Sequence, residues 1–368
     1  MNILLLHIRE IISTLLFLSF LYKLWTKYTQ KATHHNSSPP QPFGAWPIIG
    51  HLPLLGNKIH LSRTLANLSD KYGPIFTLRL GMQNAVVVSS REAVSECFTT
   101  NDKFFASRPK SSSGEYLVYD YASFGFANGP YWREMRKLVT LEVLSARRLE
   151  SMKNLRVSEI ATSVRELYVG TKGKWPCKVN ISRWIDQVAL NIIVKTIAGK
   201  RYGNNVGGGE DVKEVENFRT LIREFTYLSG EFVISDVIPI RVLKWMDVQG
   251  HIKSMKRVSK ELDGIIEKWI DEHVKCKRDE QDFLDVMLST IDDKFMDSDG
   301  PPRLTIIKAT VVVSCIINMD LCFEPGFDLA APGNRTVDMD EGIGITMPRV
   351  NPLEVVITPR LEPQLYEN

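Results

Sequence analysis

The chain has 368 residues, of which 44% are hydrophobic and 24% charged, the balance of a globular protein with enough apolar side chains for a sizeable core. Its formal net charge of +3 is too small for a nucleic-acid-binding surface, and no basic run with interleaved aromatic residues occurs, which excludes nucleic acid as a partner. The five cysteines are odd in number, scattered and without a C-x-x-C pair, which argues against a disulfide framework or a zinc site and indicates a reducing compartment.

The first predicted element is an apolar segment over residues 1–24. Its uninterrupted part, Ile11–Tyr22, is short for a membrane span. No small-x-small cleavage site follows, and positive charge then accumulates at Lys23, Lys27 and Lys31. The segment is therefore predicted to be an uncleaved membrane anchor that leaves the rest of the chain in the cytosol. An amphipathic or cleaved leader is the alternative.

A proline-rich hinge is predicted over residues 25–50. Pro39, Pro40, Pro42 and Pro47 fix φ and disfavour helix at the residues before them. The hinge is thus expected to be a stiff, extended connector.

The rest of the chain is predicted to contain one short sheet followed by many helices. A helix at Leu61–Tyr72 precedes strands at Ile75–Leu80 and Ala85–Val88, which flank a hairpin turn. Further helices are predicted at Arg91–Phe98, 130–158, Ile181–Ile197, Glu214–Leu228 and Ile252–Cys276, and from Leu304 onward. A last hairpin joins Ile343–Met347 to Val355–Thr358. The predicted fold class is mainly α, with a small N-terminal β-region and a C-terminal β-hairpin.

The most specific motif is the run from Gly129 to Lys137, in which Trp132 and Arg136 stand four residues apart on one helix face. An arginine fork and an indole N–H are suitable donors for a buried carboxylate. The pair alone is a weak signal, and the preceding residues 124–130, FGFANGP, make it a strong one.

These residues resemble the plant cytochrome P-450s, which are membrane-anchored haem-thiolate monooxygenases, and in particular the plant family that oxidises alkaloids, terpenoids and phenolics. Other matching segments are 235–239, 245–251, 305–310, 326–328, 337–339, 342–346 and 352–355. The resemblance implies that Trp132 and Arg136 hydrogen-bond a haem propionate. It also implies NADPH-dependent oxygen insertion into a small apolar plant metabolite, a separate NADPH–cytochrome reductase, and a single-pass location in the endoplasmic reticulum membrane. Substrate would be bounded by Phe105–Tyr121, Phe218–Leu228 and Ile345–Val350.

The chain departs from that family in the motifs that bind the haem iron and activate oxygen. The family's haem-ligand cysteine lies in F-x-x-G-x-R-x-C-P-G, and none of the five cysteines has these neighbours. The oxygen-activating A/G-G-x-D/E-T-T motif is absent from 310–320. An E-x-x-R pattern occurs at Glu216 and Arg219, but the flanking matches place it in a different helix from the family's own, so we interpret it as chance.

These departures predict an incomplete cytochrome P-450 fold. Its segments are an anchor at 1–24, a hinge at 25–50, the front of a catalytic domain at 51–313, an abnormal junction at 314–323 and a domain tail at 324–368. Such a chain is expected to have no catalytic residue and no metal ligand, to retain no haem, and to keep Trp132 and Arg136 as remnants of the propionate site. Apolar faces such as Ile185–Ile197 are expected to be exposed.

Two other hypotheses remain at this point. The chain is a working haem monooxygenase that uses Cys315 or Cys322, although Cys315 in its apolar surroundings is more typical of a small buried hydrophobe. Or it is a membrane-tethered, non-catalytic interaction protein.

Overall fold

A computed structural model describes most of the chain. The described residues are 12–14, 16–17, 19–20, 22–23, 38–56, 60–143, 145–171, 174–201, 210–238, 240–275, 282–292, 300–317, 326–334, 336–342 and 348–367. They divide into two compact units. The first comprises Met1–Asp102 and Val237–Trp245, and the second comprises Lys103–Asp236 and Met246–Asn368.

The elements are mostly helices. In chain order they are α1 (Leu52–Leu55), α2 (Leu61–Tyr72), β1 (Ile75–Leu80), β2 (Gln83–Val88), α3 (Arg91–Phe98), α4 (Asp102–Phe105), α5 (Ser112–Tyr116), α6 (Gly129–Leu138), a π-helical turn (Val139–Val143), α7 (Ala146–Ser151), α8 (Lys153–Thr171), β3 (Cys177–Asn180), α9 (Ile181–Ala198), α10 (Glu210–Gly230), α11 (Ile234–Val237), α12 (Arg241–Met246), α13 (His251–Lys275), α14 (Phe283–Thr290), α15 (Arg303–Ile317), β4 (Phe327–Ala330), a 3-10 turn (Pro332–Asn334), β5 (Glu354–Pro359) and α16 (Gln364–Glu367). The mainly helical class predicted from the sequence is confirmed.

The first unit is built on the antiparallel hairpin of β1 and β2, in which Ile75 pairs with Val88 and Leu80 with Gln83. Phe76 and Leu78 point to one side of β1 and are buried, as strand periodicity requires. The helices predicted on either side of this hairpin, α2 and α3, begin and end at the predicted residues. Ser90 starts α3 because its side chain accepts the Ala93 N–H at 3.2 Å.

The core of the second unit lies around α13 and α15. Apolar residues recur every three or four positions along α13 and are buried, and among them Trp269 is 1% exposed. Phe218 of α10 lies against Trp269, with the ring centroids 5.3 Å apart. Residues 309–314 of α15 are all buried. A helix that is apolar all round needs such surroundings.

The sequence-based expectation that the apolar face of α9 would be exposed is wrong. Residues 188–194 are buried, as are Ile197 and Ala198, and Ile185 is the apolar exception at 39% exposed. Contacts with α8, α14, α15 and β5 cover this face. The described helices and the C-terminal strand thus supply a core for α9 without any further segment.

The predicted C-terminal hairpin is only partly right. Its second strand exists as β5, but β5 pairs with β3 and β4 in a three-stranded antiparallel sheet of order β3-β5-β4. The first predicted strand, Ile343–Met347, lies outside the described residues. β3 is four residues long and lies far from β5 in sequence, so periodicity alone gave no sign of the pairing.

The C-terminal helix α16 packs against α8 and β4 through Tyr366, which is 3% exposed. Its ring stacks on Tyr168 of α8, with centroids 4.4 Å apart and planes 4° apart. Its hydroxyl donates to the Gly326 carbonyl and accepts the N–H groups of Arg360 and Leu361 at 3.1 and 3.2 Å. Tyr366 therefore closes the C-terminal segment onto α8.

The predicted anchor and hinge fall largely outside the described residues. Between 12 and 23 the described positions are helical and exposed, and the hinge is described from Ser38 onward. Within the described part of the chain, none of the helices is both long and apolar enough to cross a membrane.

Candidate functional site

The candidate site is α6, which carries Trp132 and Arg136. Pro130 lies in its first turn, where a missing N–H costs nothing, and Gly129 takes a φ of +64°, which suits glycine. Asn128 precedes the helix and clamps the loop before it. Its Oδ1 accepts the Arg108 N–H at 2.7 Å, and its Nδ2 donates to the Arg108 carbonyl at 3.1 Å.

Trp132 and Arg136 lie on the same face of α6, as the sequence predicts. The guanidinium carbon of Arg136 is 5.1 Å from the Trp132 ring centroid, a cation–π distance. Trp132 is half-buried and Arg136 is exposed, whereas Met135 and Leu138 fix the opposite face in the core. Both donors of the pair therefore remain available on the outer face of an anchored helix.

The predicted helical stretch 130–158 is broken into α6, a π-helical turn, α7 and the start of α8. The π turn at Val139–Val143 ends the face that presents Trp132 and Arg136. Just before α6, Gly125 approaches α15, where a Cβ on that glycine would lie 3.5 Å from a methyl carbon of Val313. The loop before α6 is thus packed near the end of α15.

Removing the Asn128 clamp is expected to loosen the start of α6. We predict that Asn128→Ala costs about 1 kcal/mol of the free energy of unfolding, because two hydrogen bonds to Arg108 are lost at a partly solvated site. Denaturant unfolding measures this loss. Asn128→Asp keeps the acceptor and loses the donor, so a loss as large as that of Asn128→Ala would contradict a contribution from the Oδ1 acceptor.

The cysteines that the structure describes do not fit a haem iron. Cys97 lies on α3 and Cys177 on β3, and both are free thiols. Burial raises the pKa of the Cys177 thiol, which opposes the thiolate that iron requires. Cys276, Cys322 and the side chain of Cys315 lie outside the described part of the chain. Neither described cysteine therefore has the sequence neighbours that the resemblance requires of a haem ligand.

The E-x-x-R pattern at Glu216 and Arg219 joins two helices. Arg219 is 7% exposed, and its Nη1 lies 3.1 Å from Glu216 on the same helix, while its Nη2 donates to Gln187 of α9. Desolvation lowers the pKa of Arg219. A cavity of about 310 Å³ lies beside it and is lined by Glu166, Leu167, Gly170, Thr171, Asn180, Arg183, Trp184, Gln187 and Arg219. Trp132 and Arg136 are not among these residues.

One group of potential metal ligands, His273, Asp282 and Asp285, forms hydrogen bonds within the protein instead. His273 has the Trp269 carbonyl 2.6 Å from Nδ1 and an Asp282 carboxylate oxygen 2.6 Å from Nε2. Both ring nitrogens of His273 therefore have an oxygen partner, and the contact with Asp282 is an ion pair when the ring is protonated. Asp282 also caps α14 with Asp285 in a reciprocal capping box. The group therefore ties α13 to α14.

Two of the regions predicted to bound a substrate pack against each other. Leu117 and Val118 share one hydrophobic core with four residues of α10, namely Phe218, Leu221, Phe225 and Leu228. Asp236 of α11 accepts the Ser112 N–H and hydroxyl at 2.9 and 2.6 Å and so holds the start of α5. In the third region, residues 345–347 lie outside the described residues.

Comparison with known proteins identifies relatives over nearly the whole chain. A family model described as Cytochrome P450 matches residues 39–316. Vinorine hydroxylase of Rauvolfia serpentina is 39% identical over 482 aligned positions, which cover 99% of each protein. A nicotine N-demethylase of Nicotiana tomentosiformis is 43% identical over 83% of this chain and 60% of that protein, and a flavonoid-6-hydroxylase of Mentha piperita is 42% identical over 81% and 58%. The chain thus spans under two thirds of the length of the last two relatives.

Proposed function

Because this chain belongs to the cytochrome P450 monooxygenase family, we propose that its fold derives from an enzyme that inserts oxygen into small apolar plant metabolites and that this polypeptide is itself non-catalytic. The observation that carries the proposal is that the described residues include the pair expected at a haem propionate but no cysteine in the sequence context expected of the iron ligand. Trp132 and Arg136 are in place on α6, whereas neither described cysteine suits an iron ligand.

The alignment with vinorine hydroxylase supports the same proposal. It covers nearly all of both proteins but has 482 positions, more than the 368 residues of this chain, so part of that relative has no counterpart here. The family model ends at residue 316, α15 ends at Ile317, and the next described strand, β4, begins at Phe327. We propose that the missing counterpart belongs at the junction 314–323, between the domain front at 51–313 and the tail at 324–368.

Haem, when bound by a member of this family, supplies oxygen activation at its thiolate-ligated iron. In this chain, Trp132 and Arg136 would hold a propionate through the indole N–H and the guanidinium fork. The iron would have no partner among the described cysteines. The proposal is therefore that haem is not retained.

The partners proposed for the parent enzyme are a reductase, a membrane and a small apolar substrate. Basic side chains are exposed on α6, α7 and α8, at Arg133, Arg136, Lys137, Arg147 and Lys153, and would suit an acidic partner surface. The predicted anchor at 1–24 would place the protein in the endoplasmic reticulum membrane with its body in the cytosol. Relatives named for an alkaloid and a flavonoid favour a substrate from those classes.

Sequencing the transcript across the codons for Thr310 to Gly326 tests the junction. A direct join in the transcript is the expected result, and it would show that the shortened protein is real. An in-frame insert encoding the oxygen motif, a second E-x-x-R and the cysteine loop would contradict the proposal and restore an ordinary monooxygenase.

The Cys315 and Cys322 hypothesis has its own test. Haem binding that is lost in a Cys315→Ala, Cys322→Ala double variant would show that one of them ligates iron. We expect no haem binding before or after the substitutions.

A further inference from the structure

Strand β2 has an outer edge that faces away from β1. In an antiparallel pair, residues alternate between those whose N–H and C=O point to the partner strand and those whose groups point away from it. Thr77 and Arg79 of β1 donate away from β2, to the Pro40 carbonyl at 2.8 Å and to His51 Nδ1 at 2.9 Å. Their register partners, Val86 and Asn84, therefore direct their own backbone groups away from β1. Val88 does the same by alternation.

The two edges of the hairpin differ in whether another segment of the chain pairs with them. The chain between Pro40 and His51 covers the edge of β1, where the His51 N–H also donates to the Arg79 carbonyl at 2.7 Å. On the edge of β2, the structure shows no backbone partner for Asn84, Val86 or Val88 among the residues it describes. Asn84 is exposed, and Val86 is 59% exposed.

The exposed edge lacks the usual protection against pairing. Natural edge strands are blunted by lysine, proline, bulges or a covering segment. β2 reads Gln-Asn-Ala-Val-Val-Val, with no charged residue and no proline, and its register with β1 runs through all six pairs without a bulge. Its β-branched residues favour an extended strand. This edge is thus a ready template for another strand.

We propose that β2 is the pairing edge for a second copy of this chain. The two β2 strands lie antiparallel about a two-fold axis at Val86, so that Val86 faces Val86 and Asn84 faces Val88 of the other copy. The outward N–H and C=O groups of Asn84, Val86 and Val88 are then all paired, and the two hairpins form one continuous sheet.

The properties of the strand favour a second copy over a different partner. A two-fold pairing places each side chain near its own copy or a close neighbour, and an uncharged strand does so without like-charge repulsion. A charged partner would find nothing complementary on this strand. Because one short strand from each copy forms the contact, the interface is small, and the association should be weak and dependent on concentration.

Sedimentation of the full chain in detergent, over a range of protein concentrations, tests the proposal. The wild type should pass from monomer to dimer as its concentration rises. Val86→Pro removes an N–H that points outward and leaves the bonds to β1 in place, so it should stay monomeric with an unchanged circular dichroism spectrum. Val86→Ile keeps the N–H and should dimerise like the wild type. A monomer at every concentration, or a dimer that Val86→Pro leaves intact, would overturn the proposal.

Disulfide trapping tests the register without relying on a folded proline variant. Paired residues in such a ladder have Cα atoms about 5.5 Å apart, within reach of a disulfide. Under mild oxidation, Val86→Cys should give a dimer in which mass spectrometry finds position 86 joined to itself. Asn84→Cys alone should not cross-link through position 84, but mixed with Val88→Cys it should form the 84–88 link. Links to the native cysteines only, or an equal yield of all pairs, would contradict the two-fold pairing.

Discussion

Glu159→Ala should destabilise the protein by about 3 kcal/mol, because it leaves cations without their buried counter-charge. Glu159 lies on α8 and its side chain is fully buried. Its carboxylate accepts from Arg201 Nε at 2.8 and 3.0 Å and from Asn191 Nδ2 at 3.1 Å, and Lys195 Nζ lies 3.7 Å away. Glu159 therefore holds the end of α9 against α8, and it shares Arg201 with Glu166 of α8, whose carboxylate oxygen lies 2.9 Å from Arg201 Nη2.

The free energy of unfolding, from denaturant titration, measures this effect. Glu150→Ala is the matched control, because Glu150 pairs with Lys153 at 3.2 Å on the surface, with both side chains more than half exposed. That substitution should cost less than about 1 kcal/mol. Glu159→Gln removes the charge and keeps one acceptor oxygen for Asn191 and Arg201 Nε, and should fall between the two. Equal losses for Glu159→Ala and Glu150→Ala would show that the buried carboxylate does not carry the contact between α8 and α9.

Tyr366→Ala should release the C-terminal segment from α8. The substitution removes the stacked ring and leaves a cavity among Tyr168, Trp175 and Phe327, at a cost of about 3 kcal/mol. Since the ring closes only this segment, the loss should be local. Amide exchange in β5 should become faster by on the order of a hundredfold, while exchange in α13 stays unchanged.

Leu365→Ala is the control for this prediction, because the neighbouring Leu365 side chain is 63% exposed. It should change stability by no more than about 0.5 kcal/mol. Tyr366→Phe keeps the stacking and loses the hydroxyl's bonds to the Gly326 carbonyl and to the Arg360 and Leu361 N–H groups, so it should show a smaller effect than Tyr366→Ala. Unchanged exchange in β5 of Tyr366→Ala would mean that the sheet alone holds the segment.

The parts of the fold that were predictable are those with local signals. The 3.6-residue stripe of α13, the apolar spacing of α2 and the Ser90 cap of α3 are properties of neighbouring residues, and each helix lies where its pattern places it. The burial of α9 was not predictable, because it depends on which distant elements cover Val188–Val194. The pairing of β5 with β3 was not predictable for the same reason, since the strands are far apart in sequence and β3 is only four residues long.

The candidate site was predictable only in part. The spacing of Trp132 and Arg136 fixes their shared face, because four residues make about one turn of helix. The sequence carried no sign of Glu159, since a glutamate in a helix is usually solvated and its partners lie on another helix. The clamp of Asn128 on Arg108 spans twenty residues and equally has no local signal.

The most direct test of the account is the reduced, carbon-monoxide difference spectrum of the purified chain, expressed with ample haem precursor. In this spectrum, a haem iron that is held by a cysteine thiolate gives a characteristic absorption band. Our account predicts no such band, because no described cysteine suits the iron although Trp132 and Arg136 are in place. A thiolate-type band from this chain would contradict the account and would show that one of its five cysteines binds the iron.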